Sequence, residues 1–261
     1  MHIAVMTTAY KTPDWILART WASLKRQTNH DWSWFVYDDS PTEYDGVARQ
    51  IYGYQSDERY RVYYMRPESP SGGNIGLAKY NAFMWADGDV LVELDHDDEL
   101  TPDALNSIAL AFDDHQVGFV YSDWCEILPS GESGVYPDGW AFGYGGKYWD
   151  VDNGVWAMAA PPINTVTLGH IVSAPNHVRA WRSELYYELG GHNPQLEVAD
   201  DYDLVVRTAL VAECVHIPKM LYRQHVGEHS AQRKKNDLIQ QLVAELSTKY
   251  RPQIDEKYGT Y

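Results

Sequence analysis

The stretch DVLVELDHDD, residues 89–98, runs an apolar strand-like segment straight into four carboxylates, Glu93, Asp95, Asp97 and Asp98. Residues 89–95 read as a buried strand, so the acids emerge together at its carboxyl end. In open, mostly parallel α/β sheets that edge is where ligands sit. Carboxylates this close do not all stay ionised without compensation. A hard divalent cation such as Mg²⁺ or Mn²⁺ supplies it, since both prefer oxygen ligands and often share them with a substrate's phosphates. The plainer alternative is a solvated acidic loop that caps the next helix.

Outward from this stretch the chain alternates short apolar runs with helical patterns. HIAVM (2–6), WSWFVYD (32–38), RVYYM (61–65) and VGFVYSD (117–123) read as further strands. Between them, helical periodicity marks 13–27, a weaker segment near 43–54, and 74–86 behind the Gly72-Gly73 turn. Thr101-Pro102-Asp103 reads as an N-cap with proline at the first helical position, opening a helix with Leu105, Ile108 and Phe112 on one face. Nearly all-apolar strands alternating with helices predict an α/β fold, a mostly parallel central sheet with helices on both faces.

Past residue 123 the alternation stops. Residues 131–156 hold seven glycines and seven aromatics without a sustained period, the pattern of a lid or binding loop without elements of its own. Order returns with an extended segment over 165–180, a short helix near 182–189, a turn at Gly190-Gly191 and a helix over 199–210. Two short strands follow (214–217 and 220–223), then a terminal helix with Leu238, Leu242 and Leu246 on one face. This divides the chain into a domain over 1–230, whose halves are 1–123 and 124–230, and a helical tail over 231–261.

Composition narrows the function classes. A chain of 261 residues that is 44% hydrophobic suits one large globular domain, or a core domain with a small appendage. The formal charge of −16 disfavours bare nucleic acid and anionic bilayers as partners. No apolar run approaches the ~20 residues of a membrane span, and MHIAVMTTAY lacks the features of a signal peptide. The expectation is a soluble, cytoplasmic protein. Cys125 and Cys214 read as buried reduced thiols with no metal-ligand spacing. The 10 Trp and 20 Tyr against five Phe suit hydroxyl-bearing ligands as well as packing.

Two other strand ends share the acidic edge. Thr7-Thr8-Ala9-Tyr10 closes the first strand and Asp38-Asp39-Ser40 the second. A carboxylate accepts hydrogen bonds from a ribose hydroxyl or a base N–H, and a tyrosine ring stacks on a base, so these ends together outline a nucleotide site.

At this point the residues carry a family resemblance. TTAY, YDDS, GGNIGLAKYNA, LDHDDEL, GGHN followed by ADDYDLVVR, and the closing YRQHVGEHS occur in the order and spacing of the family 2 glycosyltransferases with the GT-A fold. The chain resembles that family over roughly residues 2–230. The resemblance implies nucleotide-sugar binding by Thr8, Tyr10, Asp39, Asn74, Lys79 and Asp95. It implies metal ligation by Asp97 and His225, with His229 as a rival and Asp98 as an additional candidate. It places the catalytic base at Asp201, with Asp200 standing where the family pattern has Glu. Trp124, Trp140 and Trp156, with Tyr144 and Trp149, read either as an acceptor platform or as aromatics packing the 131–156 segment.

The resulting expectation is an inverting glycosyltransferase that uses Mn²⁺ or Mg²⁺. It moves a sugar from a nucleotide-diphosphate donor, most simply a UDP-sugar, to a glycan or another hydroxyl-bearing acceptor. A metal ion stabilises charge on the leaving phosphate, and a single carboxylate base fits direct displacement with inversion. Two rivals stand beside it. A nucleotidyltransferase on a related sheet would show a Gly-rich basic loop after the first strand, and TTAYKTPD is not one. A non-catalytic carbohydrate-binding protein would have no need of Asp97 and Asp201.

Overall fold

The computed structural model describes residues 1–171, 174–227 and 235–260. Four parallel strands form the first half of the sheet: β1 (Ile3–Ala9), β2 (Trp32–Asp38), β3 (Arg61–Met65) and β4 (Val90–Glu93). They are joined by α1 (Asp14–Lys25), α2 (Gly46–Gln55) and α3 (Ile75–Met84). β1 and β2 are buried along almost their whole length, which is why they carry runs of apolar and aromatic residues rather than alternation. α3 begins where Asn74 caps it, the side-chain oxygen accepting the Leu77 amide at 2.9 Å.

The strand order is β3-β2-β1-β4-β10-β6-β11-β5. Here β5 is Glu99–Leu100, β6 is Val117–Ile127 and α4 (Ala104–Ala111) lies between them; β10 is Arg179–Arg182 and β11 is Glu213–His225. β6 and β11 are parallel to each other, but β10 runs antiparallel to both of its neighbours, β4 and β6. This direction was not legible in the alternation, and it brings Arg179 opposite Glu93 in the register.

Several local expectations are corrected. The 131–156 segment has elements of its own: β7 (Ser133–Gly134) pairs with β6, and β8 (Gly146–Asp150) forms a hairpin with β9 (Val155–Ala159). Glycines and cross-strand aromatics masked the period. Instead of two strands over 214–223 there is one long β11, whose register against β6 shifts around Pro218 because proline cannot donate to the ladder. The 165–180 segment is not extended throughout; it holds a 3₁₀ turn at Thr167–Gly169 before β10. α4 is preceded by Asp103 rather than capped by Thr101, and the Thr101 carbonyl accepts the Ala104 amide at 3.0 Å.

The remaining helices are α5 (Ser183–Glu188), α6 (Asp200–Val211) and α7 (Asn236–Tyr258). α7 buries Ile239, Val243, Leu246, Tyr250 and Ile254, while Leu238 and Leu242 are only half-buried. Tyr250 donates to Asp203 Oδ1 at 2.7 Å, so α7 buttresses α6. Much of the aromatic content is packing: Trp21 stacks on Trp34 at 5.5 Å, and Trp34, Trp181, Tyr186, Tyr202 and Tyr222 are fully buried. Both thiols are free; Cys125 is buried and Cys214 half-buried, and burial pushes each up to about 12.

Candidate active site

β1, β2 and β4 end at one edge because they are parallel and nearly in register. Thr7 Oγ1 donates to the Leu94 carbonyl at 2.8 Å, tying the end of β1 to the acidic stretch. Thr20 of α1 donates to the His96 and Asp98 carbonyls at 2.8 and 2.9 Å, so the acidic turn is held from its backbone. Thr8 is half-buried beside it, its carbonyl 3.2 Å from His96 Nδ1. Tyr10 is half exposed, with the Lys11 ammonium over its ring at 5.5 Å from the centroid. Asp39 is buried, with both oxygens accepting from Ser71, the amide at 2.7 Å and the hydroxyl at 2.6 Å.

α3 and α6 meet over this edge through a close backbone approach. A Cβ on Gly76 would lie 2.3 Å from the Leu196 carbonyl oxygen and 2.6 Å from that of Asn193. Asn74 strengthens the junction, its Nδ2 donating to Pro194 O at 3.0 Å. That contact delivers the start of α6, with Asp200, Asp201 and Asp203 in its first turn, to the site. Acidic residues there also complement the helix dipole.

Five charged side chains converge in the interior. Lys79 of α3 donates to Glu93 Oε1 at 2.5 Å and stands 3.9 Å from Asp95 Oδ1. Arg179 of β10 donates through Nε to Glu93 Oε2 and through Nη1 to Asp201 Oδ2, both at 2.8 Å. His177 Nε2 lies 3.3 Å from Asp95 Oδ2 and 3.1 Å from Arg179 Nη2. Burial alone would raise the Glu93, Asp95 and Asp201 carboxyls. The adjacent cations outweigh it, holding Glu93 and Asp201 below the ordinary range and Asp95 well below it.

Asp200 differs from its neighbour. Its side chain is 4% exposed against 28% for Asp201, and burial pushes it up to about 7, the Lys79 charge opposing and the Asp201 and Glu93 charges adding. Its Oδ2 has no hydrogen-bond partner among the described residues and faces His192 Nε2, equally unpartnered, at 3.7 Å. Burial lowers His192 to about 3. Asp98 is also buried; it accepts from Tyr222 Oη at 2.8 Å and from the His225 amide at 2.7 Å, and burial with Asp97 and Asp95 nearby raises it well above the carboxylate range.

Glu93, Asp95 and His177 offer three ligand atoms within 4.8 Å of one another, the one such acidic–histidine group among the described residues. Both Glu93 oxygens are already bonded to cations, so a metal ion would have to displace Lys79 or Arg179. Asp97 is better suited: its carboxylate is half-buried and has no hydrogen-bond partner among the described residues. His225 is brought to the same turn through its amide, but its Nε2 is 2.9 Å from Glu99 Oε1, which leaves Nδ1 as the nitrogen not so engaged. His229 lies outside the described residues.

The aromatic expectations divide. Trp124 is buried and packs edge-to-face on half-buried Trp140 at 5.6 Å, so it presents no free face and belongs to the core. Trp156 is exposed and pairs across the hairpin with Trp149, ring centroids 5.6 Å apart. The sequence reading took Glu93 only as a member of the acidic cluster, without its partners, and gave no site role to Arg179, His177 or Tyr222. A charge inside the apolar run VLVEL was the available signal for Glu93; nothing local marked the other three.

The family profile described as Glycosyl transferase family 2 matches residues 5–162. The "Uncharacterized protein y4gI" of Sinorhizobium fredii (strain NBRC 101917 / NGR234) is 25% identical over 237 residues, 88% of this chain. The chain spans 23% of that relative's length. Among solved structures, S. aureus TarS 1–349 in complex with UDP-GlcNAc superposes with a TM-score of 0.69 at 17% identity, over 94% of this chain and 66% of that one. Mannosyltransferase PcManGT from Pyrobaculum calidifontis, in complex with GDP-Man and Mn²⁺, gives 0.65 at 15% identity, over 98% and 69%. GalNAc-T7 with UDP, GalNAc and Mn²⁺ gives 0.64 at 16% identity, over 87% and 44%. The shared architecture is the GT-A fold.

Proposed function

The chain belongs to glycosyl transferase family 2, and on that premise we propose that it is an inverting, metal-dependent enzyme that moves a sugar from a nucleotide-diphosphate donor, by preference a UDP-sugar, to a hydroxyl of a glycan or other acceptor. The observation that carries this reading is the pair of differently tuned carboxylates at the start of α6. Asp201 is ionised, partly exposed and oriented by Arg179; Asp200 is buried and pushed up to about 7, so it holds its proton more tightly than its neighbour. A general base must be both ionised and reachable, so Asp201 takes the acceptor proton. Its Oδ1 also accepts the Tyr202 amide at 2.8 Å, which fixes the carboxylate plane.

On the donor side, Tyr10 and Asp39 hold the base, Thr8 lines the pocket, Asp95 accepts from the ribose, and Asn74 and Lys79 belong to the segment over the diphosphate or sugar. Asp97 with His225 would hold Mn²⁺ or Mg²⁺, which when bound stabilises negative charge on the leaving phosphate. Residues 1–123 thus serve the donor and 124–230 the acceptor, with Trp140 and Trp156 on the acceptor side and α7 of the 231–261 tail bracing α6. Among the described residues no helix is long and apolar enough to cross a membrane.

A donor screen by thermal shift in Mn²⁺ tests the reading. A true donor raises the melting temperature by mass action, and a shift of similar size in chelator would remove the metal from the binding step.

A further inference from the structure

Glu93 sits at the end of β4 with its side chain only 2% exposed, where an apolar residue would complete the strand. Its oxygens are divided between two cations from different elements, Lys79 of α3 and Arg179 of β10. Each cation has a second acidic neighbour, Asp95 for Lys79 at 3.9 Å and Asp201 for Arg179 at 2.8 Å. The result is a continuous chain of charge, Asp95, Lys79, Glu93, Arg179, Asp201, running from the end of β4 to the start of α6.

Buried ion pairs are a poor source of stability, because desolvation cancels most of the attraction and apolar replacements often serve as well. Their better attested use is to fix geometry. Glu93 is closed off from solvent, with each oxygen bonded to a cation, whereas the two carboxylates at the ends of the chain are about a third exposed, 32% for Asp95 and 28% for Asp201.

We propose that Glu93 is a positioning residue which, through Lys79 and Arg179, sets the donor-side Asp95 and the acceptor-side Asp201 in register with each other. The proposal rests on the reading of those two carboxylates given above. Glu93 touches neither substrate; it anchors the two cations, of which Arg179 hydrogen-bonds Asp201 and Lys79 acts on Asp95 by charge from 3.9 Å, beside His177 at 3.3 Å. Without the anchor, Lys79 and Arg179 collapse onto Asp95 and Asp201, and both carboxylates lose the orientation that transfer needs.

The single variants have distinct signatures. Arg179→Gln is expected to lower kcat by roughly 10²-fold, the cost of about an ångström of misplacement, with donor KM little changed. Lys79→Gln is expected to raise donor KM roughly 10-fold, as for loss of a charge-assisted contact. Glu93→Gln, which keeps the shape and removes the charge, is expected to do both. Where Glu93→Gln does not reach the folded state, the charge-balanced pair Glu93→Gln with Arg179→Gln replaces it, and the same two shifts are expected. A merely structural role would reduce kcat in proportion to the folded fraction and leave donor KM alone, and that result overturns the proposal, as does a folded Glu93→Gln with wild-type constants. A wild-type protein inactive with every nucleotide sugar would instead overturn the functional reading. Calorimetric UDP affinity in Mn²⁺ then judges the hub by itself, with weaker binding by Glu93→Gln expected and unchanged binding contradicting it.

Discussion

Arg179 Nη1 donates to Asp201 Oδ2 at 2.8 Å, and this bond separates two adjacent aspartates into different chemical states. Asp201 is held as an anion with its side chain partly exposed, whereas Asp200 turns inward toward His192 and binds its proton more tightly. Two like residues in sequence thereby acquire unlike roles through burial and one cation.

The kinetic consequence is a ranking. Asp201→Asn keeps the shape and removes the proton acceptor, so kcat is expected to fall by roughly 10²–10⁴ with donor affinity little changed. Asp200→Asn imitates a neutral, hydrogen-bonding side chain and should cost far less. Steady-state kinetics on both variants checks this; the reverse ranking moves the base to Asp200.

The Asp200–His192 contact makes opposing contributions to stability. Between its unfolded value near ~3.9 and about 7, Asp200 holds a proton that the unfolded chain has released, so its contribution falls as pH rises. Between about 3 and its unfolded value near ~6.5, His192 stays neutral while the unfolded chain is protonated, so its contribution rises with pH. The two slopes nearly cancel from about pH 4 to 6.5. Asp200→Asn should therefore lose stability on acidification more steeply than wild type, and His192→Gln should lose stability as pH rises through the same window. Urea unfolding at several pH values measures both slopes.

The strand–helix alternation of the first half was legible because fully buried parallel strands must be apolar, and the DHDD turn was legible as an acidic strand end because the run before it is apolar. The central charge chain was not. Arg179 meets Glu93 across 86 residues of sequence, only because β10 enters the sheet antiparallel, and strand direction leaves no local mark. The β8–β9 hairpin was hidden for a related reason: Trp149 and Trp156 face each other across two strands, so their pairing is visible only after the fold is known. Trp124 was left between two readings because an aromatic near a binding site and an aromatic in a core have the same sequence signature.

Asp97 carries the metal assignment. Asp97→Ala is expected to weaken UDP binding in Mn²⁺ by at least about tenfold, as for loss of a charged ligand, with an unchanged circular dichroism spectrum. Calorimetry with and without chelator reads the effect, and equal affinities in wild type and variant, metal or no metal, would remove Asp97 from that role.

Gly76 tests the junction that brings α6 to the site. The atoms a Cβ would meet, at 2.3 and 2.6 Å, are backbone carbonyl oxygens that cannot rotate away. Gly76→Ala should destabilise the fold by about 1–3 kcal/mol, as for overpacking in a closed interior, despite alanine's better helix propensity. Denaturant titration gives the value, and a stabilised variant would mean that the 193–196 backbone yields readily.

The most direct measurement of the assignment is nucleoside diphosphate release by the purified chain, with Mn²⁺, a panel of nucleotide-diphosphate sugars and hydroxyl-bearing acceptors, followed by NMR of the product's anomeric centre. Expected are metal-dependent release from one donor class, UDP-sugars foremost, its loss in Asp201→Asn, and a product of inverted configuration. A retained configuration would contradict the single-base displacement, and full turnover by Asp201→Asn would contradict the placement of the base.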